Sequence, residues 1–436
     1  MSTATPSNAS QATVVKPAQV LKPSLAGSKS KQRKGVAKSQ AKFEPAPFRD
    51  QIVSSLQTVP LDDFEGYYQR LDQLSNQLDF RKYDTQLFEI LVVGGLLAPG
   101  GTFLDDGAPK SPFSILAAKE PIELEDMRKR VGVFTKLMRK LKFLQKTFED
   151  TTLKSIISYH WPVASSSKLA VSTALFVLSN LCNASVLAGL QKDHLVKDGT
   201  SVQFMTLYLR TYLSEQGSTD SQLSSSLRSA KMLNLETLWP VGKRGPEVVM
   251  EHFNKEGLGR VTEIYKKVRV DKAKDETRSH LRDMVQGDES SEAIINYLQD
   301  RRNEDGGIIT ESEYVELIWI GLMHNLDLGT RPDLIKAVTE KLVKEVSSIL
   351  EPFCTGAKTE LALIYAIQAW CYENTKLLPV FGGVLEVLYD QDVLSSGAIQ
   401  YWYTKGRPAQ GRVQFLKFTE GLYKRLQDEE EEEDEE

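Results

Sequence analysis

The 436-residue sequence predicts an all-α protein, with two domains of stacked helix pairs set between a disordered basic head and a disordered acidic tail. Three observations carry this expectation. From Pro47 to Leu426, apolar residues recur at helical spacing in one segment after another, separated by Gly, Pro and Ser clusters and without a convincing strand-like alternation. Charge is sorted by position. Residues 1–43 hold eight basic side chains (Lys16, Lys22, Lys29, Lys31, Arg33, Lys34, Lys38, Lys42) and no acid, and residues 428–436 are nine consecutive acids. The chain's net charge of -5 therefore hides a near-neutral body. Finally, a 41% hydrophobic fraction at this length supports two cores, at about 100–200 residues per domain.

Composition also excludes several classes. Cys182, Cys354 and Cys371 are too few and too dispersed for a disulfide framework or a four-Cys zinc site, so a reducing compartment is expected, the cytoplasm foremost. The amino terminus lacks an apolar signal core, and no run of 18 apolar residues occurs; residues 169–181 come nearest and read as a buried helix. Pro6, Pro17, Pro23 and a single Arg spoil an amphipathic transit helix in the head. The Lys29-Ser-Lys-Gln-Arg-Lys34 cluster suits a nuclear address or a nucleic-acid arm, with a solvated tail as the commoner outcome.

Taken in order, the head occupies 1–43 and a first helical domain 44–250. Leu87, Ile90 and Leu91 lie on one helical face and run into Gly94-Gly95 and Pro99-Gly100-Gly101, which stop the helix. Phe134, Leu137, Met138, Leu141, Leu144 and Phe148 form an apolar stripe. Arg128, Lys129, Arg130, Lys136, Arg139, Lys140, Lys142 and Lys146 cover its other faces, so a basic amphipathic helix is expected. It reads as the solvated back of a core helix, or as a basic docking face at Lys136, Arg139, Lys140 and Lys142 for RNA or an acidic partner. Polar residues 214–229 and the Trp239-Pro240-Val241-Gly242 break flank the boundary expected near 250. The second domain, 251–427, repeats the habit: Ile335, Val338, Leu342, Val346 and Ile349, then Leu361, Ile364, Tyr365, Gln368 and Cys371, step by three and four. Helix pairs joined by short loops imply HEAT-type stacking.

Catalytic motifs are missing. Gly94 to Gly101 lacks the lysine and hydroxyl of a phosphate loop and ends a helix where such a loop opens one. No G-x-S-x-G, H-E-x-x-H or C-x-x-C occurs, and His160, His194, His252, His280 and His324 lie too far apart for a local metal site. A non-enzymatic interaction protein with no cofactor and no metal is expected.

The carboxyl-terminal segment carries the richest signal. Val384 to Leu394 and Ile399 to Trp402 precede Phe415, Phe418, Leu422 and Leu426, an apolar stripe expected to pack in the core. Glu386, Asp390, Asp392, Glu420 and the acidic tail, with Asp428, Glu429, Glu430 and Glu431 at its start, then face water and attract lysine-rich partners. Exposed ion pairs contribute only about 0.2–1 kcal/mol each, so aromatic anchors are needed, and Tyr389, Trp402 and Tyr403 are the candidates. Trp402 reads equally well as a core residue.

These two blocks resemble the acidic-aromatic boxes that close the W-two domain, a HEAT-like module of initiation factor five, the epsilon subunit of initiation factor two B and some factor-four-G scaffolds. Residues 385–402 resemble the first box and 415–436 the second. Phe43-Glu-Pro-Ala-Pro-Phe-Arg-Asp50, Leu78-Asp-Phe-Arg-Lys-Tyr83, the segment Leu87 to Gly101, Lys22-Pro-Ser-Leu-Ala-Gly and Cys371-Tyr-Glu-Asn374 extend the likeness over nearly the whole chain. It resembles the initiation factor five mimic proteins, also called basic leucine zipper and W-two domain-containing proteins. The zipper label finds no support, because Leu71 and Leu78 are one heptad apart and Thr85 breaks the series.

The resemblance implies two HEAT/MIF4G-like domains and a translation regulator that lacks the zinc ribbon with which initiation factor five stimulates GTP hydrolysis. It implies binding to lysine blocks of the initiation factor two beta subunit and to initiation factor three within the small-subunit preinitiation complex. Neither DNA nor membrane is expected as a partner. Competition with initiation factor five would tighten start-codon selection and repress non-AUG initiation. Nucleotide exchange or GTPase regulation on initiation factor two, and an RNA-binding scaffold, are the alternatives. After Leu394 this chain reads Ser-Ser-Gly-Ala where the family tends to have acids, which shifts the attraction toward the second box.

Overall fold

A computed structural model describes residues 43–304, 306–325, 332–408 and 410–435. The basic head thus lies outside the described residues, apart from Phe43. Among those described, the ordered elements are helices, with one isolated bridge between Leu97 and Phe103. Contacts divide the chain into two compact units, Met1–Thr152 and Leu153–Glu436.

In the first unit, α1 (Pro45–Leu56), α2 (Phe64–Gln77), α3 (Asp84–Val92) and α4 (Leu124–Lys140) enclose an aromatic core. Asp63 caps α2 by accepting the Gly66 N–H at 2.8 Å, satisfying a donor that has no intrahelical acceptor. Leu78 follows α2 in extended conformation, so the leucine heptad ends where the helix does. Helix α3 stops just before Gly94, whose φ of 99° turns the chain as the glycine pair implied.

The basic helix expected to run through Phe148 is shorter than the stripe suggested. Helix α4 ends at Lys140, and Leu141 at φ -113°, ψ 67° turns the chain. The turn brings Phe148 to 4.7 Å from Phe88 and 5.8 Å from Phe134, ring centroid to ring centroid. Burying that third ring outweighs continuing a helix across a polar surface.

In the second unit, α5 (Val163–Leu178) is buried on nearly every side and packs against α6 (Thr200–Ser214), as its apolar run anticipated. Among the described residues no helix is long and apolar enough to cross a membrane. Polar residues 214–229 hold a helix of their own, α7 (Asp220–Ser229), opened by a reciprocal capping box between Thr219 and Gln222. Helix α8 (Pro246–Lys255) contains residue 250 and packs on the long α9 (Gly259–Gln286).

From α9 onward the helices form two interleaved rows. One row stacks α9, α11 (Glu311–Leu322), α13 (Ala357–Glu373) and α15 (Ser396–Lys405). The other stacks α10 (Ser291–Glu304), α12 (Pro332–Leu350), α14 (Phe381–Asp390) and α16 (Arg412–Glu435). Next-but-one neighbours in sequence touch within a row, the two-layer solenoid of HEAT-type domains. Between the rows lies one core with Trp319, Phe381, Trp402 and Phe415 fully buried.

Helix α16 corrects two expectations. The acidic run is not a disordered tail, because the helix continues to Glu435, and glutamate is a good helix former. Phe418, placed in the core by its spacing, is 41% exposed, and Thr419 is buried in its stead with its hydroxyl bonded to the Phe415 carbonyl at 2.6 Å. The cause is a close helix contact. A Cβ on Gly382 would lie 2.3 Å from the Phe418 carbonyl oxygen, so α14 and α16 approach through backbone there and Phe418 is turned outward.

Candidate functional site

The acids expected to face a partner gather on α14 and α16 around a residue of the opposite sign. Arg425, one turn before the acidic run, reaches Glu386 at 2.7 Å, Asp390 at 2.9 Å and Glu429 at 3.1 Å. Tyr389 closes the cluster. Its hydroxyl donates to Glu429 Oε2 at 3.0 Å, and the Arg425 guanidinium lies 5.6 Å from its ring centroid. Hydrogen bonding to Asp390, with the charges of Asp390, Glu429 and Glu386, holds the guanidinium above its ordinary pKa. Three carboxylates are thereby fixed by an internal cation that acidic patterning alone does not reveal. Arg425 stands four residues before Glu429 on one helix, and that i,i+4 spacing was the available signal.

The other candidates separate into exposed acids and framework. Asp428, Glu430 and Glu431 are exposed along the last turns of α16. Glu420 is exposed too, but its ion pair with Lys424 at 2.8 Å lowers its carboxyl pKa and reduces its attraction for a partner. Asp392 is exposed in the left-handed region, φ 58°, where the chain leaves α14. Tyr403 stacks on Tyr423 with centroids 4.1 Å apart and stays partly exposed. The serine that follows Leu394 is also structural. Ser395 caps α15 and donates its hydroxyl to Glu360 at 2.5 Å.

Trp402 is not a surface anchor. It is 0% exposed, its ring packs 5.1 Å from Phe381, and its indole N–H donates to Gln368 Oε1 at 3.0 Å. Helix α15 turns it inward because Ala398, Ile399 and Trp402 share the face packed on α13.

The basic face on α4 is largely neutralised from within the first unit. Lys136 pairs with Glu65 and Lys140 with Asp72, both acids of α2, while Lys129 and Arg130 pair with Glu125 and Asp126. Arg139 and Lys142 remain exposed with no acidic partner among the described residues. With Lys146, also exposed, they leave three such cations, a weak electrostatic footprint for a nucleic acid. Among the described residues, no group of three His, Cys, Asp or Glu side chains is placed to hold a metal ion.

A two-row helical solenoid ending in a charge-bearing helix, with aromatic packing beneath, belongs to the class of helical protein-binding modules. Residues 30–275 match the family model described as the 5MP1/2 HEAT domain, and residues 359–436 match the W2 model, described as eIF4-gamma/eIF5/eIF2-epsilon. The chain is 32% identical over 421 residues to eIF5-mimic protein 2 of Homo sapiens, covering 95% of this chain and 98% of the relative. It is 30% identical over 417 residues to the protein krasavietz of Drosophila melanogaster, covering 94% and 96%. The chain belongs to the eIF5-mimic protein family, a family of translation regulators related to initiation factor five.

Proposed function

We propose that this chain is a non-enzymatic, cytoplasmic regulator that competes with initiation factor five for initiation factors two and three on the small-subunit preinitiation complex. By occupying the lysine blocks of the factor two beta subunit without stimulating GTP hydrolysis, it tightens start-codon selection and represses non-AUG initiation. The proposed division of labour places a helical-repeat domain over residues 44–250 and the partner-gripping W-two domain over 251–427, with 428–436 extending the acidic surface.

The observation that carries this reading is the acidic end of α16. Asp428, Glu430 and Glu431 lie exposed on a helix whose root is fixed by Arg425 and Tyr389 against α14. A helical array of carboxylates presents charge at regular spacing to a lysine run and loses less conformational freedom on binding than a flexible tail. Pull-down of initiation factors by the full chain, beside a chain lacking residues 428–436, tests it. Retention of factors two and three by the full chain and their loss from the truncated one is the expected result. Equal recovery by both would remove the acidic helix from the interface.

A further inference from the structure

Phe43 stands where the basic head meets the folded body, and at 53% exposure it is the most open aromatic side chain among the described residues. It is also the end of a column. Its ring stacks on Tyr83 with centroids 5.0 Å apart and planes 20° apart, and Tyr83 stacks in turn on Phe48 at 4.6 Å and 20°. Phe48 is 4% exposed and meets the edge of Phe80 at 6.0 Å, so the column is rooted in the core. The Glu44 backbone N–H donates to the Tyr83 hydroxyl oxygen at 2.9 Å, which ties the start of α1 to the residue that precedes α3. Tyr83 is thus covered on both faces, whereas Phe43 has a ring on one face and leaves the other to solvent.

Contacts place the charges around this column. Lys82 Nζ lies 5.3 Å from the Tyr83 ring centroid, and the Arg81 guanidinium lies 4.5 Å from the Phe143 ring centroid. The Thr147 hydroxyl donates to Asp84 Oδ2 at 2.6 Å. Those two contacts bring the exposed Lys142 and Lys146 beside residues 81–84. Against these four cations stand Glu44, Asp79 and Asp84, and the last two already accept from the Lys82 backbone and from Thr147. The body is therefore only slightly positive here, and the surplus comes from the head. Its eight cations and no acid lead directly into Phe43, and covalent reach alone keeps Lys38 and Lys42 within about 18 Å of it.

We propose that Phe43 is a stacking platform for one base of single-stranded RNA, with the cations of the head and those beside the column taking the adjoining phosphates. The ring is ordered by the two rings behind it, so a planar base meets a fixed π-face and little freedom is lost on stacking. The acid-free head attracts a polyanion, and RNA joins the two requirements, with a phosphate and a base at every nucleotide. An acidic peptide would satisfy the cations and leave Phe43 bare, and a duplex keeps its bases stacked on one another. Stacking accepts every base, so the platform is not sequence-selective. It belongs to the first unit, whereas the acidic helix α16 belongs to the second, so RNA capture is an activity additional to the capture of lysine blocks.

The test is fluorescence anisotropy of the full chain with a labelled, unstructured fifteen-nucleotide RNA, alone and annealed to its complement. Saturable binding of the single strand, weakening as salt rises, is expected. Phe43→Ala, at an exposed position, should weaken it by about 5-fold or more without changing the salt slope, and Phe43→Trp should restore it. The duplex binds through charge alone, so its affinity should not respond to Phe43→Ala. The combined Lys29→Gln, Lys31→Gln, Arg33→Gln and Lys34→Gln chain should bind the single strand more weakly and with a flatter salt slope, and an unchanged slope overturns the part given to the head. Absence of saturable binding, parental single-strand affinity in Phe43→Ala, or an equal loss for strand and duplex overturns the platform. So does a polyglutamate peptide whose binding falls as much in Phe43→Ala, which would give this surface to an acidic protein.

Discussion

The indole N–H of Trp402 donates to the side-chain oxygen of Gln368 at 3.0 Å, joining α15 to α13 inside the core of the W-two unit. Trp402 thus holds α15 against α13 from within the core and presents no surface of its own. Trp402→Ala should destabilise the unit by about 3–5 kcal/mol, with loss of binding following unfolding. Trp402→Phe keeps a ring but leaves the Gln368 oxygen unpaired, at a cost of about 1–3 kcal/mol. Urea unfolding of both variants checks this order, and a Trp402→Ala chain of parental stability would contradict it.

Arg425 makes a different prediction. Its ion pairs with Glu386, Asp390 and Glu429 are all substantially solvent-exposed, so Arg425→Gln should change stability by no more than about 1 kcal/mol. The same substitution removes the internal counter-charge of three carboxylates. Affinity for a lysine-block peptide should therefore rise several-fold at low salt, measured by fluorescence anisotropy. A fall would assign Arg425 to contact with the partner.

Salt separates long-range charge from contact. At about 0.1 M ionic strength the screening length is ~10 Å, comparable with the roughly 12 Å that residues 428–435 span along α16. Removing residues 428–436 should weaken lysine-peptide capture most at low salt and flatten its dependence on salt. Parallel salt plots for the parent and shortened chains would refute a steering role.

His252 supplies a pH signal. The Thr206 hydroxyl donates to the Val202 carbonyl at 2.8 Å, which leaves its oxygen to accept from His252 Nε2 at 2.9 Å. Desolvation lowers the His252 pKa from its ordinary 6.5. The unfolded chain then takes up the proton first as pH falls. The stability tied to the neutral ring is complete above pH 6.5 and declines below it, toward the depressed folded value. His252→Gln, which keeps an N–H donor, should flatten the denaturation midpoint between pH 7 and about 5. An unchanged pH profile would exclude this residue.

Much of the fold was legible because helical periodicity is a local signal. The buried run of α5, the glycine stop after α3 and the core positions Phe415, Leu422 and Leu426 all follow from spacing. What escaped depended on contacts distant in sequence. Phe418 has the spacing of a core residue and is displaced by a glycine on α14, the α4 stripe is cut by Phe148 seeking Phe88, and the basic face of α4 meets acids of α2. Within the candidate site, charge and aromatic content were readable. The division between exposed Asp428, Glu430 and Glu431, clamped Glu386, Asp390 and Glu429, and buried Trp402 required the packing of α14 on α16 and of α15 on α13.

The most direct test of the proposed role is competition. Initiation factor five, labelled and bound to a lysine-block segment of the initiation factor two beta subunit, is titrated with the full chain at low and at physiological salt. Complete displacement, weaker at the higher salt and abolished by removal of residues 428–436, is predicted. A stable ternary complex in which both proteins remain on the lysine blocks at saturating concentration would contradict competitive mimicry.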